Sequence, residues 1–378
     1  MSYEIKGISA LSDLFGDLVV YRNLAPADPR LPGIKTLWRE LGWRDYHVPR
    51  KTDMEYAQAL ARILHAARAM DAPQATLERL LYIGDTRLLD GTAFRNLSAA
   101  AALPGYAFIG RDDLSRPKET TLEGDWFLAN RWHALTEFLR FVEKQGFTVD
   151  ERTAVVVDMD KTCIGARGRN DKVIDAARVE GVHRTIAGLL GERFDQVAFE
   201  RAYNELNQPP YHHFTADNQD YLAYICLMLG AGLYELDGLV AAVKEVQMST
   251  FAQFIADVNR RRAEITDPGL RAMHDEIWAA VQAGDPTPFK AFRYNEYLTT
   301  ASRFGELPGA TAAEALAARI VITDEVRRAA DTLRARGALL FAVSDKPDEA
   351  SVPQPSQAAE GWQPLHRLKT LVVGEKFE

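Results

Sequence analysis

The sequence predicts an α/β protein, in which a Rossmann-like parallel sheet carries helices on both faces and an all-helical domain is inserted into the chain. Two observations predict this class. Short apolar runs rich in β-branched residues alternate with segments of helical periodicity. Residues from about 168 to 303, by contrast, show helical patterns and no convincing strand. An all-helical block that interrupts an α/β pattern is typical of an inserted second domain.

Five apolar runs are the predicted strands, and each ends at a glycine, an acid or a turn signal. In chain order they are "RLLYIGD", "GYAFIGRDD", "TAVVVDMD", "ALLFAVSD" and "KTLVVGE". Because helical segments separate most of these runs, we expect the strands to lie parallel in one sheet.

Three helices beside these strands follow from end signals and periodicity. Thr52 stands three residues before Glu55, a capping-box pattern that predicts a helix start, and apolar residues recur at helical spacing after it. Another helix is predicted to begin at Thr323 and to end at Gly337. Residues 125–146 are predicted to form the helix before "TAVVVDMD".

The length of 378 residues indicates more than one ordinary domain. The predicted segments are an N-terminal extension of unassigned role (1–48), the first part of the α/β core (49–166), the helical domain (167–317) and the second part of the core (318–378).

Charge, hydrophobicity and cysteine content argue against several classes of protein, namely nucleic-acid-binding, membrane and secreted proteins. The net charge of −8 argues against a nucleic-acid groove, since phosphate contacts need clustered basic residues. No apolar stretch reaches the roughly 20 residues that cross a bilayer, and the first residues do not form a signal peptide. The two cysteines form no disulfide framework. We therefore expect a cytoplasmic protein without nucleic-acid or membrane partners; the oligomeric state stays open.

The segment "AVVVDMDKT" carries the sharpest chemical signal. Three valines lead a buried strand to Asp158, and Asp160 follows two positions later. Positions two apart in extended backbone share a face, so both carboxylates can point at one site. Crowded carboxylates repel, and a hard cation such as Mg²⁺ relieves the repulsion. A carboxylate can also act as a nucleophile while its neighbour acts as acid and base.

Two more strand ends carry polar side chains. "ALLFAVSD" ends at Ser344, whose hydroxyl can bond a phosphoryl oxygen or cap a helix beginning near Asp348. "LLYIGDTRLLDG" places Asp85 and Asp90 after a strand, where acids are either metal ligands or ordinary helix-start residues.

D-x-D-x-T after a strand, a strand ending in Ser, a Lys and G-D-x4-D after another strand resemble the four signatures of the haloacid dehalogenase superfamily. The resemblance implies a core of that type, with the helical insertion as a mobile cap. It further implies the following roles: Asp158 as nucleophile, Asp160 as acid and base, Thr162 as a brace of the motif loop, Ser344 and a lysine as phosphate ligands, and Asp85 and Asp90 with Asp158 and Asp160 as the Mg²⁺ site.

The order of these motifs departs from the usual one, because G-D-x4-D normally comes last and here comes first. This order suggests a circular permutation in which the termini were cut between the third strand, "KTLVVGE", and the lysine motif. The permutation predicts that the lysine precedes the helix leading into "LLYIGD". Lys51 does so, and its rivals are Lys346, Lys369 and Lys376.

The expected function is a Mg²⁺-dependent phosphomonoesterase that hydrolyses a small phosphorylated metabolite through an aspartyl-phosphate. The alternatives are a phosphomutase with the same residues and a noncatalytic binding module on the same scaffold. A dehalogenase fits less well, because Asp160 suits the leaving group of a phosphate ester. Arg167 and Arg169, in the loop leading out of the core, are expected to be solvated.

Overall fold

The structure is a computed structural model that describes residues 2–376, so residues 1 and 377–378 of the outermost predicted segments lie outside it. The chain divides into two compact units. The core unit contains the described residues up to Ala177 and from Thr300 onward, and the helical unit is Arg178–Thr299.

The strands of the described chain all belong to the core unit. They are β1 (Tyr3–Ser9), β2 (Val19–Val20), β3 (Arg79–Gly84), β4 (Gly105–Gly110), β5 (Thr120–Glu123), β6 (Trp126–Ala129), β7 (Thr153–Asp158), β8 (Ile322–Thr323), β9 (Leu339–Val343) and β10 (Thr370–Glu375).

Seven of these strands form the main sheet, in the order β2-β9-β7-β3-β4-β6-β5. Every neighbouring pair is parallel except β5 and β6, which run antiparallel. The predicted class, a mixed α/β fold with a mostly parallel sheet and flanking helices, is therefore confirmed.

The α-helices fall into both units, and two of them, α6 and α13, cross the boundary. They are α1 (Leu11–Phe15), α2 (Ile34–Glu40), α3 (Met54–Asp71), α4 (Asp90–Ala101), α5 (Leu135–Lys144), α6 (Asp171–Leu190), α7 (Gln196–Leu206), α8 (His212–Thr215), α9 (Gln219–Gly230), α10 (Leu236–Lys244), α11 (Phe251–Arg260), α12 (Pro268–Gln282), α13 (Lys290–Ala301), α14 (Ala312–Ala318), α15 (Asp324–Ala335) and α16 (Pro355–Ala359).

The central strands of the main sheet are buried along their whole length, as parallel strands covered on both faces are. Alternate strand residues, including Tyr82, Val156 and Phe341, pack with the apolar residues of α3 and α4. The remaining strand residues point the opposite way, because side chains alternate across a strand. On that side α5 packs against β4, and α15 packs against β9.

A second, three-stranded sheet has the order β1-β10-β8. Its strand β10 contains the predicted strand "KTLVVGE", so placing that run in the main sheet was wrong. The outer strand beside β9 is instead β2, from the first 48 residues. An apolar run shows that a segment forms a strand, but its partners depend on the rest of the chain.

Two helix predictions also need correction. Residues 125–146 do not form one helix, because Trp126 begins strand β6 and α5 starts only at Leu135. The helix after Lys51 has its N-cap at Asp53 and not at Thr52, and the Asp53 carboxylate accepts a bond from the Arg50 amide at 2.7 Å. The helix predicted from Thr323 is α15, as expected.

The helical unit contains no strand, and all its residues are described. Its core is formed by apolar residues of α6–α13 and of the loops between them. Within it α6 lies against α13, since a Cβ on Gly181 would stand 2.8 Å from the Cα of Glu296. In the described part of the chain, no helix is both long enough and apolar enough to cross a membrane.

Candidate functional site

Three neighbouring strands of the main sheet deliver polar residues to one edge. Asp158 is the last residue of β7, Asp85 follows the end of β3, and Ser344 follows the end of β9. The three strands are parallel neighbours in the order β9-β7-β3, so their carboxyl ends lie side by side. This edge of an open α/β sheet is where ligands commonly bind.

Lys51 joins two of the acids. Its Nζ lies 2.5 Å from Asp158 Oδ1 and 2.6 Å from Asp90 Oδ1, and its side chain is only 5% exposed. Despite burial, these two carboxylates hold the pKa of Lys51 well above its usual value. The lysine therefore places a positive charge between the carboxyl groups of Asp90 and Asp158.

In the G-D-x4-D segment, the side chain of the second acid, Asp90, holds the backbone around the first acid, Asp85. Asp90 begins α4, and its Oδ2 accepts bonds from the amides of Asp85 at 3.1 Å and Thr86 at 2.8 Å, and from the Thr86 hydroxyl at 2.9 Å. The Oδ1 atom accepts a bond from the Tyr82 hydroxyl at 3.3 Å. A Cβ on Gly84 would stand 2.5 Å from the Asp90 side chain, which explains the glycine.

Asp85, Asp90 and Asp158 form one buried cluster, in which one oxygen of each lies within 4.8 Å of the others. Burial and the two neighbouring carboxylates raise the pKa of Asp85 to about 9. Burial likewise raises the pKa of Asp158 to about 7, although Lys51 opposes the rise. Asp90 is also buried, but Lys51 and its hydrogen bonds lower its pKa to about 2. Burial and mutual repulsion therefore favour the protonated forms of Asp85 and Asp158, although Lys51 and Arg167 pair with acids of the cluster.

A divalent cation fits this donor set. Three carboxylates meet in a buried space with two basic partners, Lys51 and Arg167, so a cation would supply further positive charge and favour the ionised acids. Oxygen-only ligands suit hard ions such as Mg²⁺, Ca²⁺ and Mn²⁺, and they do not single out one of these. Asp160, predicted as a fourth ligand, lies outside the three-carboxylate cluster.

Asp160 is instead the partner of Ser344. The Ser344 hydroxyl donates to Asp160 Oδ2 at 2.6 Å and accepts a bond from the Lys346 amide at 3.0 Å. The Ser344 amide donates to the carbonyl of Val20 in β2 at 3.0 Å. Asp160 is half-buried, so it is the more accessible of the two motif acids.

Thr162 is fully buried behind the motif, and its Oγ1 has no hydrogen-bond partner in the described part of the chain. Its carbonyl accepts a bond from the Thr323 hydroxyl at 2.7 Å. The turn before it places Lys161 at φ = 64°, in the left-handed region. Thr162 thus ties the motif loop to the start of α15 through its backbone.

Among the lysine rivals, Lys369 and Lys376 are exposed. Lys346 is buried, and its Nζ lies 3.3 Å from the Thr300 hydroxyl. Lys51 is thus the candidate lysine that forms ion pairs with the acids of the cluster.

Three contributors to the site were missed from sequence. Arg167, expected in solvent, pairs with Asp85, and Tyr82 bonds Asp90. Val20 positions Ser344 from a strand too short to show periodicity. The other loop arginine, Arg169, was also expected in solvent, yet it is buried. An arginine in a loop has no local pattern that reveals a partner 82 residues away.

Arg169 belongs to a separate buried ion network. Its Nε lies 2.8 Å from Asp112 Oδ2, and its Nη1 lies 2.8 Å from Glu325 Oε2. Glu325 in turn accepts a bond from the Glu375 amide at 2.9 Å. The network links the motif loop to α15 and β10, which indicates a structural role.

The site thus brings together Lys51, Asp85, Asp90 and Asp158, and joins Asp160 to Ser344 on the next strand end. Comparison with protein-family models, with curated proteins and with solved structures found no match to this chain.

Proposed function

We propose that this protein is a Mg²⁺-dependent phosphohydrolase of the haloacid dehalogenase type, which cleaves a small phosphomonoester through an aspartyl-phosphate. One observation carries the proposal. Lys51 forms ion pairs within a buried cluster of three acids, and Asp160 and Ser344 are hydrogen-bonded to each other at the neighbouring strand end. Every residue to which the resemblance assigns a role stands in one of these two groups, except Thr162, which follows them in the motif loop.

In the first step, a carboxylate oxygen of Asp158 attacks phosphorus, and the bond between phosphorus and the leaving oxygen breaks. Asp160 gives its proton to that leaving oxygen, so an alcohol departs and Asp158 carries the phosphoryl group. Lys51 fixes the orientation of Asp158 through the bond to Oδ1. Asp160 is held by the Ser344 hydroxyl, which keeps it within reach of the same site.

In the second step, water attacks the phosphorus of the aspartyl-phosphate. Asp160, now ionised, takes a proton from the water, and the bond between phosphorus and Asp158 breaks. Inorganic phosphate leaves, and both acids return to their starting states. Lys51 and Ser344 offset negative charge on the phosphoryl oxygens, which is where most catalysis of phosphoryl transfer lies.

Asp85, Asp90 and Asp158 would hold the magnesium ion. When bound, it supplies positive charge that neutralises the phosphoryl oxygens and the acids together. The raised pKa values of Asp85 and Asp158 support this assignment, because buried acids that repel one another gain most from a cation.

The chain order supports a circular permutation with a revised cut. The strand beyond β9 is β2, so the usual third strand comes from the N-terminus and is followed by Lys51 and the G-D segment. The cut that created the termini would then lie between the strand that leads to Ser344 (β9) and the third strand (β2). It would not lie between the third strand and Lys51. The helical unit, inserted between Asp160 and Ser344, would be the specificity cap.

The test measures phosphate release from a panel of phosphomonoesters, with Mg²⁺ and with EDTA, by the wild type and by Asp158→Asn. We expect turnover that needs Mg²⁺ and is lost in Asp158→Asn. Asp125→Asn is the matched control, because Asp125 also follows a glycine but pairs with Arg95 away from the cluster. Thermal melting checks that both variants fold.

A second readout tests the intermediate. Acid quenching during turnover of a ³²P-labelled substrate should leave label on the protein, and hydroxylamine should release it, as it does from an acyl phosphate. Turnover that persists in Asp158→Asn would overturn the proposal. Label transferred to a second substrate molecule, without phosphate release, would identify a mutase instead.

A further inference from the structure

The core unit has an open pocket of about 330 Å³ beside the three acids. Asp85 forms part of its wall, so the pocket adjoins the candidate site. Ile109 on β4 and Leu128 on β6 supply apolar surface. At roughly 30 Å³ for each water-sized group, this space holds about ten non-hydrogen atoms. It is therefore a space for the body of a small metabolite.

Three ionic side chains besides Asp85 line this pocket: Arg87, Arg111 and Glu119. Arg87 is occupied, because it pairs with Glu123 and its guanidinium lies 5.6 Å from the centre of the Trp126 ring. Arg111 forms no ion pair and no side-chain hydrogen bond among the described residues, and it interacts with the Asp113 carboxylate through electrostatics alone. Its guanidinium is the cation of this pocket that is free to bind a ligand.

We infer that this pocket receives the leaving part of the substrate, and that Arg111 selects substrates whose leaving part carries a carboxylate. The inference rests on the proposed function, because it takes Asp158 to attack the phosphoryl group beside Asp85. A guanidinium binds a carboxylate through two parallel hydrogen bonds, and Arg111 has no ion pair or side-chain hydrogen bond to break first. The substrate class is the phosphomonoester of a small hydroxy acid.

Glu119 is the other ionic side chain of the pocket without an ion pair in the described chain. Its carboxylate opposes an anionic ligand and reduces the attraction that Arg111 supplies. Removing that charge should therefore improve the binding of an anionic substrate. Removing the charge of Arg111 should weaken the binding of an anionic substrate, and removing that of Glu119 should strengthen it. A general loss of structure would not produce these opposite effects.

The test compares two substrates of nearly equal shape, 4-carboxyphenyl phosphate and its neutral amide, 4-carbamoylphenyl phosphate. The quantity measured is the ratio of their kcat/KM values, with Mg²⁺ present. Comparing this ratio between wild type and variant cancels the different reactivity of the two leaving groups. We expect Arg111→Ala to lower the ratio about tenfold, and Glu119→Gln to raise it about twofold.

Arg116→Ala is the matched control, because Arg116 is an exposed arginine of the same segment that does not line the pocket. Its ratio should equal that of the wild type. If Arg111→Ala lowers kcat/KM equally for both substrates, or for neither, the inference is overturned. The proposed phosphatase function would be unaffected by that result. A ratio lowered by Glu119→Gln would also overturn it.

Failure of the proposed function gives a different result, namely no Mg²⁺-dependent turnover of either compound by the wild type. Calorimetry then measures the binding of both compounds to the full-length Asp158→Asn protein with Mg²⁺. Tighter binding of the carboxylate that disappears with Arg111→Ala supports the anion subsite without the chemistry. Equal binding of both compounds, or no binding of either, overturns it.

Discussion

Lys51 is the residue on which the charge balance of the cluster depends. It contributes one positive charge between Asp90 and Asp158, and neither acid has another basic partner among the ion pairs of the described residues. When one partner of a buried ion pair is removed, the remaining charge is stranded in a poorly solvated space. The cost of losing Lys51 should therefore be larger than that of losing a surface lysine.

Lys51→Met keeps the length of the side chain but removes its charge. We expect the free energy of unfolding of the metal-free protein to fall by about 3–5 kcal/mol, measured by urea denaturation. Mg²⁺ should recover part of the loss, because a cation can also balance the two acids. We expect Lys51→Met to abolish phosphate release.

Lys118→Met is the control for this measurement. Lys118 pairs with Glu137 on the surface, where an ion pair contributes less than about 1 kcal/mol. If both lysine variants lose the same stability, Lys51 does not hold the cluster together.

Three polar residues of the site could be predicted because each stands at the end of a buried strand. Asp158, Asp85 and Ser344 stand where "VVVD", "YIGD" and "FAVS" leave the sheet, and parallel strands end at one edge. The bond between Ser344 and Asp160 could not be predicted in this way. It depends on the turn through Lys161, whose left-handed backbone has no glycine to signal it.

At the scale of elements, the two-residue strand β2 fixes the position of the loop that carries Ser344. Val20 is completely buried, and its carbonyl holds the amide of Ser344. The Arg22 amide likewise bonds the carbonyl of Lys346. The first 48 residues therefore cover the edge of β9 and fix the loop that carries Ser344.

A chain that begins at residue 49 should not fold to the native state. It would lose β1 and β2, uncover the edge of β9 and remove the bonds that hold the Ser344 loop. Circular dichroism should show no cooperative thermal transition, and the protein should aggregate, as uncovered strand edges do. A cooperative transition close to the wild-type Tm would contradict this role of β2.

A chain that begins at residue 10 is the control for the longer truncation. It loses β1 alone, which pairs with β10 in the small sheet, and it keeps β2 beside β9. We expect it to be destabilised but still to melt cooperatively.

Sequence patterns predicted the long central elements far better than the short or peripheral ones. β3, β4, β7 and β9 are apolar runs of five or six residues, whereas β2 and β8 have two residues each and no periodicity to detect. The run in β10 was recognised as a strand but assigned to the wrong sheet. Its partners lie at the opposite end of the chain and before α15, and only tertiary packing selects them.

At the scale of the whole molecule, the raised pKa values link metal binding to stability and pH. An ordinary aspartate pKa of 3.8 rises to about 9 at Asp85 and to about 7 at Asp158 in the folded protein. At pH values between the ordinary pKa of 3.8 and these raised values, the folded protein binds more protons than the unfolded chain does. The contribution of these acids to stability is therefore greatest below about pH 4 and is lost as the pH rises toward about 9.

If these acids hold Mg²⁺ as proposed, the ion should reverse this loss, because it would stabilise their ionised forms in the folded protein. We expect the rise in Tm on adding Mg²⁺ to be small at pH 5 and larger at pH 7 and pH 9, measured by calorimetry. A concentration one hundred times the Kd would add about 2.7 kcal/mol to the free energy of unfolding.

Asp85→Asn removes one proposed ligand and one buried charge, so it should raise the metal-free Tm at pH 9 and reduce the effect of Mg²⁺. Asp125→Asn, away from the cluster, should leave both quantities unchanged. A Mg²⁺ effect of equal size at pH 5 and pH 9 would show that the ion does not bind through these acids.

The antiparallel pairing of β1 with β10 bears on how the protein is made. Ser9 pairs with Thr370, 361 positions later, so β1 leaves the ribosome long before its partner β10 has been made. At about 5–20 residues per second, that delay lasts about 20–70 s. Until β10 emerges, β1 presents unpaired backbone groups, because β10 is the strand that joins β1 to β8 in the small sheet. A chaperone that covers exposed strand edges would therefore protect β1 during this interval.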